Sequence, residues 1–275
     1  MISVLTNTTS MLAQNNLSKS SSALSDNLSR LSSGLRVRSA ADDAAGLAIS
    51  EDFKAKIRGL NQAKRNANDG VSLAQTADGA LKEIGGMLGR MRELAVQSAT
   101  GTVNADQRVY LDDEFAQLKS EIDRLAATTE FNGISLLDGS SAAAPVDFQV
   151  GSGNSADDRL TLTIATATTT AFAVNDNGVS TSAKALSSIS ALDAAISAVS
   201  SRRGTIGAMQ NRLSVTISNL GTYATNLSAA NSRVVDVDIA SETAQLTKNQ
   251  ILSQAGASML AQANQAPQIA LSLLG

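Results

Sequence analysis

Between Ile189 and Asn231 an apolar residue returns at every seventh position: Leu192, Val199, Ile206, Leu213, Leu220 and Leu227. The interleaved positions 189, 196, 203, 210, 217, 224 and 231 read Ile, Ile, Arg, Gln, Ile, Ala and Asn. A 3-4 alternation sustained over six heptads fits a helix with one adhesive edge; a strand would alternate with period two. At 1.5 Å per residue such a helix is roughly 65 Å long. A helix of that length cannot bury its own stripe, so the chain has to supply partners. Nothing in the covalent chain forbids them, because Pro145 and Pro267 are the only prolines and proline is the residue least tolerated inside a helix.

The partners lie upstream. A second stripe runs Phe53, Ile57, Leu60, Lys64, Ala67, Val71, Ala74, Asp78, Leu81, Leu88 and Ala95, with Ile84 and Met91 one heptad apart beside it. It carries Gly59, Gly70, Gly79, Gly85, Gly86 and Gly89, each worth up to about 1 kcal/mol less than Ala in a helix, so packing must hold it in shape. A third stripe, Leu111, Phe115, Leu118, Ile122 and Leu125, opens on Asn104-Ala-Asp-Gln107, the spacing of a capping box. Leu192, Val199, Ile206, Leu213, Leu220, Leu227, Phe115, Leu118 and Ile122 are the expected core of a helical rod spanning 41–138 and 186–235.

Between the helices the texture changes. Phe131-Asn-Gly-Ile-Ser-Leu-Leu-Asp-Gly139 holds two turn dipeptides, and Val146–Val150 and Arg159–Ile164 alternate with period two around Gly151-Ser-Gly-Asn154, which predicts a small β-hairpin unit. Residues 165–188 are rich in Ala, Thr and Ser without a core pattern, so 139–185 reads as hairpin plus a short surface excursion.

The two ends match each other. Leu17, Leu24 and Leu31 share one heptad line with Leu28 and Leu35 on its neighbour, and Leu252, Met259, Ala266 and Leu273 form the corresponding line at the carboxyl end beside Gly256, Ala263 and Ala270. Neither arm has an aromatic residue and charges are few, so each arm alone should be poorly ordered. Pro267 adds about 3 kcal/mol to the cost of a lone helix there. Pairing of 1–40 with 236–275, and with other copies of the chain, is the expected remedy. Leu17, Leu24, Leu28, Leu31, Leu35, Leu252, Met259, Leu260 and Leu273 are the candidate assembly residues.

Composition limits the chemistry. The 275 residues are 43% hydrophobic but only 3% aromatic, so the core is built from aliphatic side chains, as suits packed helices. The absence of Cys and His excludes disulfides, thiol nucleophiles, Ser-His-Asp triads and histidine-based zinc sites. The acidic clusters Asp42-Asp43, Asp112-Asp113-Glu114 and Asp157-Asp158 have no partner base or metal-ligand spacing and read as helix-start charges and solvated faces. No catalytic, cofactor or metal site is expected. A net charge of −3 without a basic, aromatic-bearing patch argues against nucleic acid. No window approaches the roughly 18 apolar residues of a membrane span. The first ten residues have neither a basic residue nor an apolar run of h-region length, so a cleaved signal peptide is not expected.

These residues resemble one family, bacterial flagellin. Gln14-Asn-Asn-Leu17, Leu24, Arg30-Leu-Ser-Ser-Gly-Leu-Arg36, Ser39-Ala-Ala-Asp-Asp-Ala-Ala-Gly46 and Ala48-Ile49 are similar to its amino-terminal signature. Arg90-Met-Arg-Glu-Leu-Ala-Val-Gln97, Glu121-Ile-Asp-Arg124 and Thr129-Glu-Phe-Asn-Gly133 resemble its central helices and the turn after them. Arg212-Leu213, Ala240-Ser-Glu242, Leu260-Ala-Gln-Ala-Asn-Gln265 and Leu271-Ser-Leu-Leu274 resemble its carboxyl-terminal signature. The resemblance implies a homopolymeric extracellular filament for swimming, with paired terminal arms as its inner layer. It implies export in unfolded form by the flagellar type III apparatus, an export chaperone, and cap and junction proteins as partners. It also implies that Arg90, Leu94 and Glu114 fall on a surface that an animal innate immune receptor recognises in some members. Gly89 stands where recognised members carry a longer polar side chain, which counts against that role. The hook–filament junction protein, whose ends are similar, is the alternative reading.

Overall fold

The computed structural model describes residues 6–140 and 144–272. Five α-helices carry the described chain: α1 Thr8–Ser33, α2 Ala44–Ala99, α3 Ala105–Thr128, α4 Ser182–Val235 and α5 Ile239–Ser272. Strands β1 Glu130–Phe131 and β2 Ile134–Ser135 form one antiparallel pair, and β3 Val146–Gln149 and β4 Arg159–Leu162 another. The mainly helical fold with a small β-hairpin is the one the periodicities predict. The expected helix at 189–231 extends at both ends to Ser182 and Val235. The last helix runs through Pro267 to Ser272.

The chain divides into two compact units, Lys56–Thr225 and the two ends, Met1–Ala55 with Asn226–Gly275. Both boundaries fall inside long helices, α2 and α4, which run without a break across them.

The central unit has one hydrophobic core. Leu81, Ile84, Leu88, Met91 and Leu94 of α2 meet Phe115 and Ile122 of α3 and Leu192, Val199, Ile206 and Leu213 of α4. Leu118 is half-buried against the same cluster, and Leu220 is buried. Helix α3 starts where the capping box was expected: the Asn104 side chain accepts from the Gln107 N–H at 2.8 Å, and the Gln107 side chain accepts from the Asn104 N–H at 3.1 Å. The turn between β1 and β2 puts Asn132 and Gly133 at φ 51° and 77°, the two left-handed residues of a type I′ hairpin turn. In the longer hairpin Val146 faces Leu162 and Phe148 faces Leu160. Phe148 sits on α2 at Gly70, where an added Cβ would lie 3.1 Å from its ring, so the bare backbone is what admits the hairpin.

Residues 165–181 correct the expectation of a surface excursion. Ala167, Thr169, Val174 and Val179 are fully buried and Phe172 nearly so. Each is tied down separately, which is why no period announced them. Asp123 accepts from the Thr169 N–H at 2.8 Å and its hydroxyl at 2.7 Å, and Asp112 accepts from the Val179 N–H at 2.6 Å. The Lys119 ammonium donates to the carbonyls of Asn175 and Asn177, while the Arg202 guanidinium lies 4.4 Å over the Phe172 ring.

Candidate functional site

The terminal unit brings the two ends of the sequence together. Helices α1 and α5 run antiparallel: the Asn7 amide donates to the Ala263 carbonyl at 2.8 Å, the Ser10 hydroxyl to Asn264 at 2.6 Å, and Leu17 packs on Gly256. At the other end Leu35 and Asp236 form an isolated antiparallel bridge, with Val237 N–H donating to the Gly34 carbonyl at 3.0 Å and Arg36 N–H to that of Val235 at 2.7 Å. Gly34 ends α1 at φ 72° with its N–H on the Arg30 carbonyl at 2.8 Å, the left-handed stop that glycine supplies without a Cβ penalty.

The buried seam of this pair differs from the lines of leucines alone. On α1 it runs Ala13, Leu17, Ser20, Leu24, Asn27 and Leu31; on α5 it runs Glu242, Leu246, Asn249, Ser253, Gly256, Leu260 and Ala263. Leu17, Leu24, Leu31, Leu35 and Leu260 are half-buried in the unit. Leu28 is 53% exposed, Leu252 45% and Met259 63%, so these three candidates face away from the seam; Leu273 lies outside the described residues. The physical reason is the 3-4 step: from Leu24 it passes through Asn27 to Leu31 and leaves Leu28 one position round the helix. Leu227 is half-buried in the same unit.

Asn27 and Glu242, 8% and 9% exposed, were not among the candidates. The Asn27 amide donates to Glu242 Oε1 at 2.7 Å, and the Asn249 amide donates to Asn27 Oδ1 at 2.9 Å. The signal for them was present in the sequence, as polar residues on stripe positions of otherwise apolar helices.

Next to Gly34 a charged cluster ties the turn before α2. Asp42 accepts from the N–H groups of Arg38 and Ser39 at 3.2 and 3.1 Å and lies 3.7 Å from both the Arg30 and Arg38 guanidinium groups; Arg38 also reaches Asp26 at 3.4 Å. The Arg38 N–H, helped by the Ser39 N–H and hydroxyl and by the Arg38 charge, holds the Asp42 carboxyl below the usual aspartate value of 3.8. A depressed folded pKa gives stability that is complete above the unfolded value and is lost as pH falls through the folded one. Thermal melts should therefore separate wild type from Asp42→Asn at about pH 7 and bring them together as pH falls well below about 4.

In the other acidic clusters a carboxylate holds a backbone N–H group. Asp43 accepts from the Gly46 N–H at 2.8 Å at the start of α2, Asp112 holds the Val179 N–H, and Asp158 accepts from the Ser155 N–H at 3.1 Å. The surface expected around Arg90, Leu94 and Glu114 is corrected in part: Arg90 is exposed and Glu114 half-buried, the two paired at 2.8 Å, whereas Leu94 is 1% exposed in the core. Leu94 falls on the stripe with Met91 and Ala95 and turns inward with them.

Comparison with known proteins defines the class. Residues 4–142 match the model of the bacterial flagellin N-terminal helical region, and residues 189–274 that of the bacterial flagellin C-terminal helical region. Flagellin of Halalkalibacterium halodurans is 49% identical over 247 residues, 90% of each chain. The flagellar filament 33 kDa core protein of Treponema phagedenis is 43% identical over 282 residues, 98% of each chain. The crystal structure of Bacillus cereus flagellin superposes with a TM-score of 0.51 at 37% identity, covering 61% of this chain and 94% of that one. The chain belongs to the bacterial flagellin family, a family of structural proteins and not of enzymes.

Proposed function

We propose that this chain is the structural subunit of an extracellular bacterial flagellar filament and that it polymerises through the faces of α1 and α5 left open in the terminal unit. One observation carries the second part. Met11, Leu12, Leu28, Ile251, Leu252 and Met259 are all exposed on a unit that already has a buried seam. A groove of about 420 Å³, lined by Leu12, Ala13, Asn16, Leu252, Ala255 and Met259 among others, runs between the two helices. Burying one Leu or Met side chain is worth roughly 1.5–3 kcal/mol, so a few per subunit suffice to drive assembly. The relatives' names, flagellin and flagellar filament core protein, favour the filament over the hook–filament junction.

Export through the flagellar type III apparatus, with an export chaperone and with cap and junction proteins at the two ends of the polymer, belongs to the same proposal. The seam supports it: with one charged side chain, Glu242, and no aromatic residue, it is a weak enough contact to stay open until the chain arrives. The test is seeded polymerisation. Purified chain at neutral pH is mixed with short sonicated filament seeds and followed by sedimentation and negative-stain imaging, beside a chain lacking 236–275. Filaments from the full chain and none from the truncated one are expected; filaments from the truncated chain overturn the role of α5, and none from the full chain overturns self-assembly.

A further inference from the structure

The α1–α5 seam has a problem of register. Leu17, Leu24 and Leu31 repeat every seven residues on one side, and Leu246, Ser253 and Leu260 with Asn249, Gly256 and Ala263 do so on the other. Sliding one helix by a heptad, about 10.5 Å, puts small and apolar residues opposite small and apolar residues again. The bridge between Leu35 and Asp236 lies just outside the two helices, the Asn7 amide meets only a backbone carbonyl, that of Ala263, and the Ser10–Asn264 bond is exposed, where water can replace it. The triad Asn27, Glu242 and Asn249 is different, because it reads side chain against side chain inside the seam. Asn27 lies between two α5 residues seven apart and satisfies both, donating to Glu242 and accepting from Asn249. A slip in one direction sets Asn27 between Asn249 and Gly256 and takes its amide away from the Glu242 carboxyl group. A slip in the other leaves Glu242 as its only neighbour of the two, since α5 begins at Ile239, and Asn249 loses its acceptor. A buried polar group without its partner is costly, and a single polar residue in a helical seam is the best-attested device for fixing register at some expense of stability.

We infer that Asn27, Glu242 and Asn249 are specificity-determining residues of assembly, a key that admits one register of α1 on α5. In the filament reading, on which this rests for its purpose, the key fixes where the open faces of the pair stand along its axis and so keeps identical subunits identical in the lattice.

The chain has no cysteine, so introduced pairs report register without interference. A Cβ placed at Gly256 lies 3.7 Å from that of Leu17, within the separation of a disulfide. Leu17→Cys with Gly256→Cys reads the native register; Leu24→Cys and Ser10→Cys, each with Gly256→Cys, read slips of one heptad in either direction. The full chain is equilibrated in a glutathione redox buffer and the cross-linked fraction is measured. The native link should dominate in the wild-type background and in Glu242→Gln, whose amide oxygen still accepts from Asn27. In the triple variant Asn27→Leu, Glu242→Leu, Asn249→Leu the slipped links should rise about tenfold, the discrimination one buried hydrogen bond to a carboxyl group supplies. The melt of that variant should not fall, since an apolar seam is no weaker. A triple variant that keeps only the native link overturns the key, as do equal links in the wild type or slippage of Glu242→Gln to the level of the triple variant. If the triple variant does not fold, Asn27→Ala is read by the same links with the same two outcomes. Polymerisation is scored separately: a wild-type chain that shows the single register but never forms filaments overturns the filament reading and leaves the key standing.

Discussion

Leu252→Asp abolishes seeded polymerisation while leaving the melting of the separate chain unchanged. The expectation follows from where the side chain stands. In the terminal unit Leu252 is 45% exposed and borders the open groove with Leu12 and Met259, so a carboxylate there stays hydrated in the single chain and costs little. Assembly that covers this face must take the charge out of water without a partner, at an effective cost of several kcal/mol. A cost of about 3 kcal/mol raises the critical concentration about a hundredfold, beyond any usable range, and sedimentation after seeding measures it. Polymerisation of Leu252→Asp at the wild-type concentration would remove α5's open face from the interface. Leu260→Asp is the instructive contrast, since its half-buried place in the seam makes the same charge disturb the pair itself.

The opposite pattern is expected at Phe115. Its ring is 1% exposed in the core between α2, α3 and α4, with the Lys119 ammonium 5.8 Å from its centre. Phe115→Ala removes the largest side chain that α3 contributes and leaves a cavity that three long helices cannot close. Losses of this kind run to about 3–5 kcal/mol, and for a unit of 170 residues each kcal/mol moves the melting temperature by about 2–4 °C. A fall of about 10 °C or more in the main thermal transition, read by circular dichroism, is the expected result. A shift of one or two degrees would show that this part of the core repacks.

What was legible in the sequence was whatever obeyed a period or a local rule. The heptad line of α4 needed no partner to be seen, the Asn104–Gln107 box is a contact within one turn, and the β3–β4 alternation survives as Val146 opposite Leu162. Three things were hidden, each for its own physical reason. The segment around Phe172 and Val179 is held by contacts to residues far along the chain, so its burial has no local signature. Leu94 was taken for surface although its stripe neighbours Met91 and Ala95 turn inward. On α1 the seam keeps the expected line of Leu17, Leu24 and Leu31, but its step between the last two is Asn27, which brings a hydrogen-bonding partner with it and which a search for leucine passes over. Polar residues on an apolar stripe were the informative exceptions.

The side-chain hydrogen bonds that tie the first arm to α5 join residues 215 to 256 positions apart in the chain. Asn7 reaches Ala263 and Ser10 reaches Asn264, so the pair cannot close along its whole length until α5 is present as far as residue 264. The central unit, whose residues all lie within 56–225, carries no such condition. Closure of the pair therefore works as a check on the second helix: a chain cut before Ile239 keeps every residue of the central unit but brings α1 no helix to pair with.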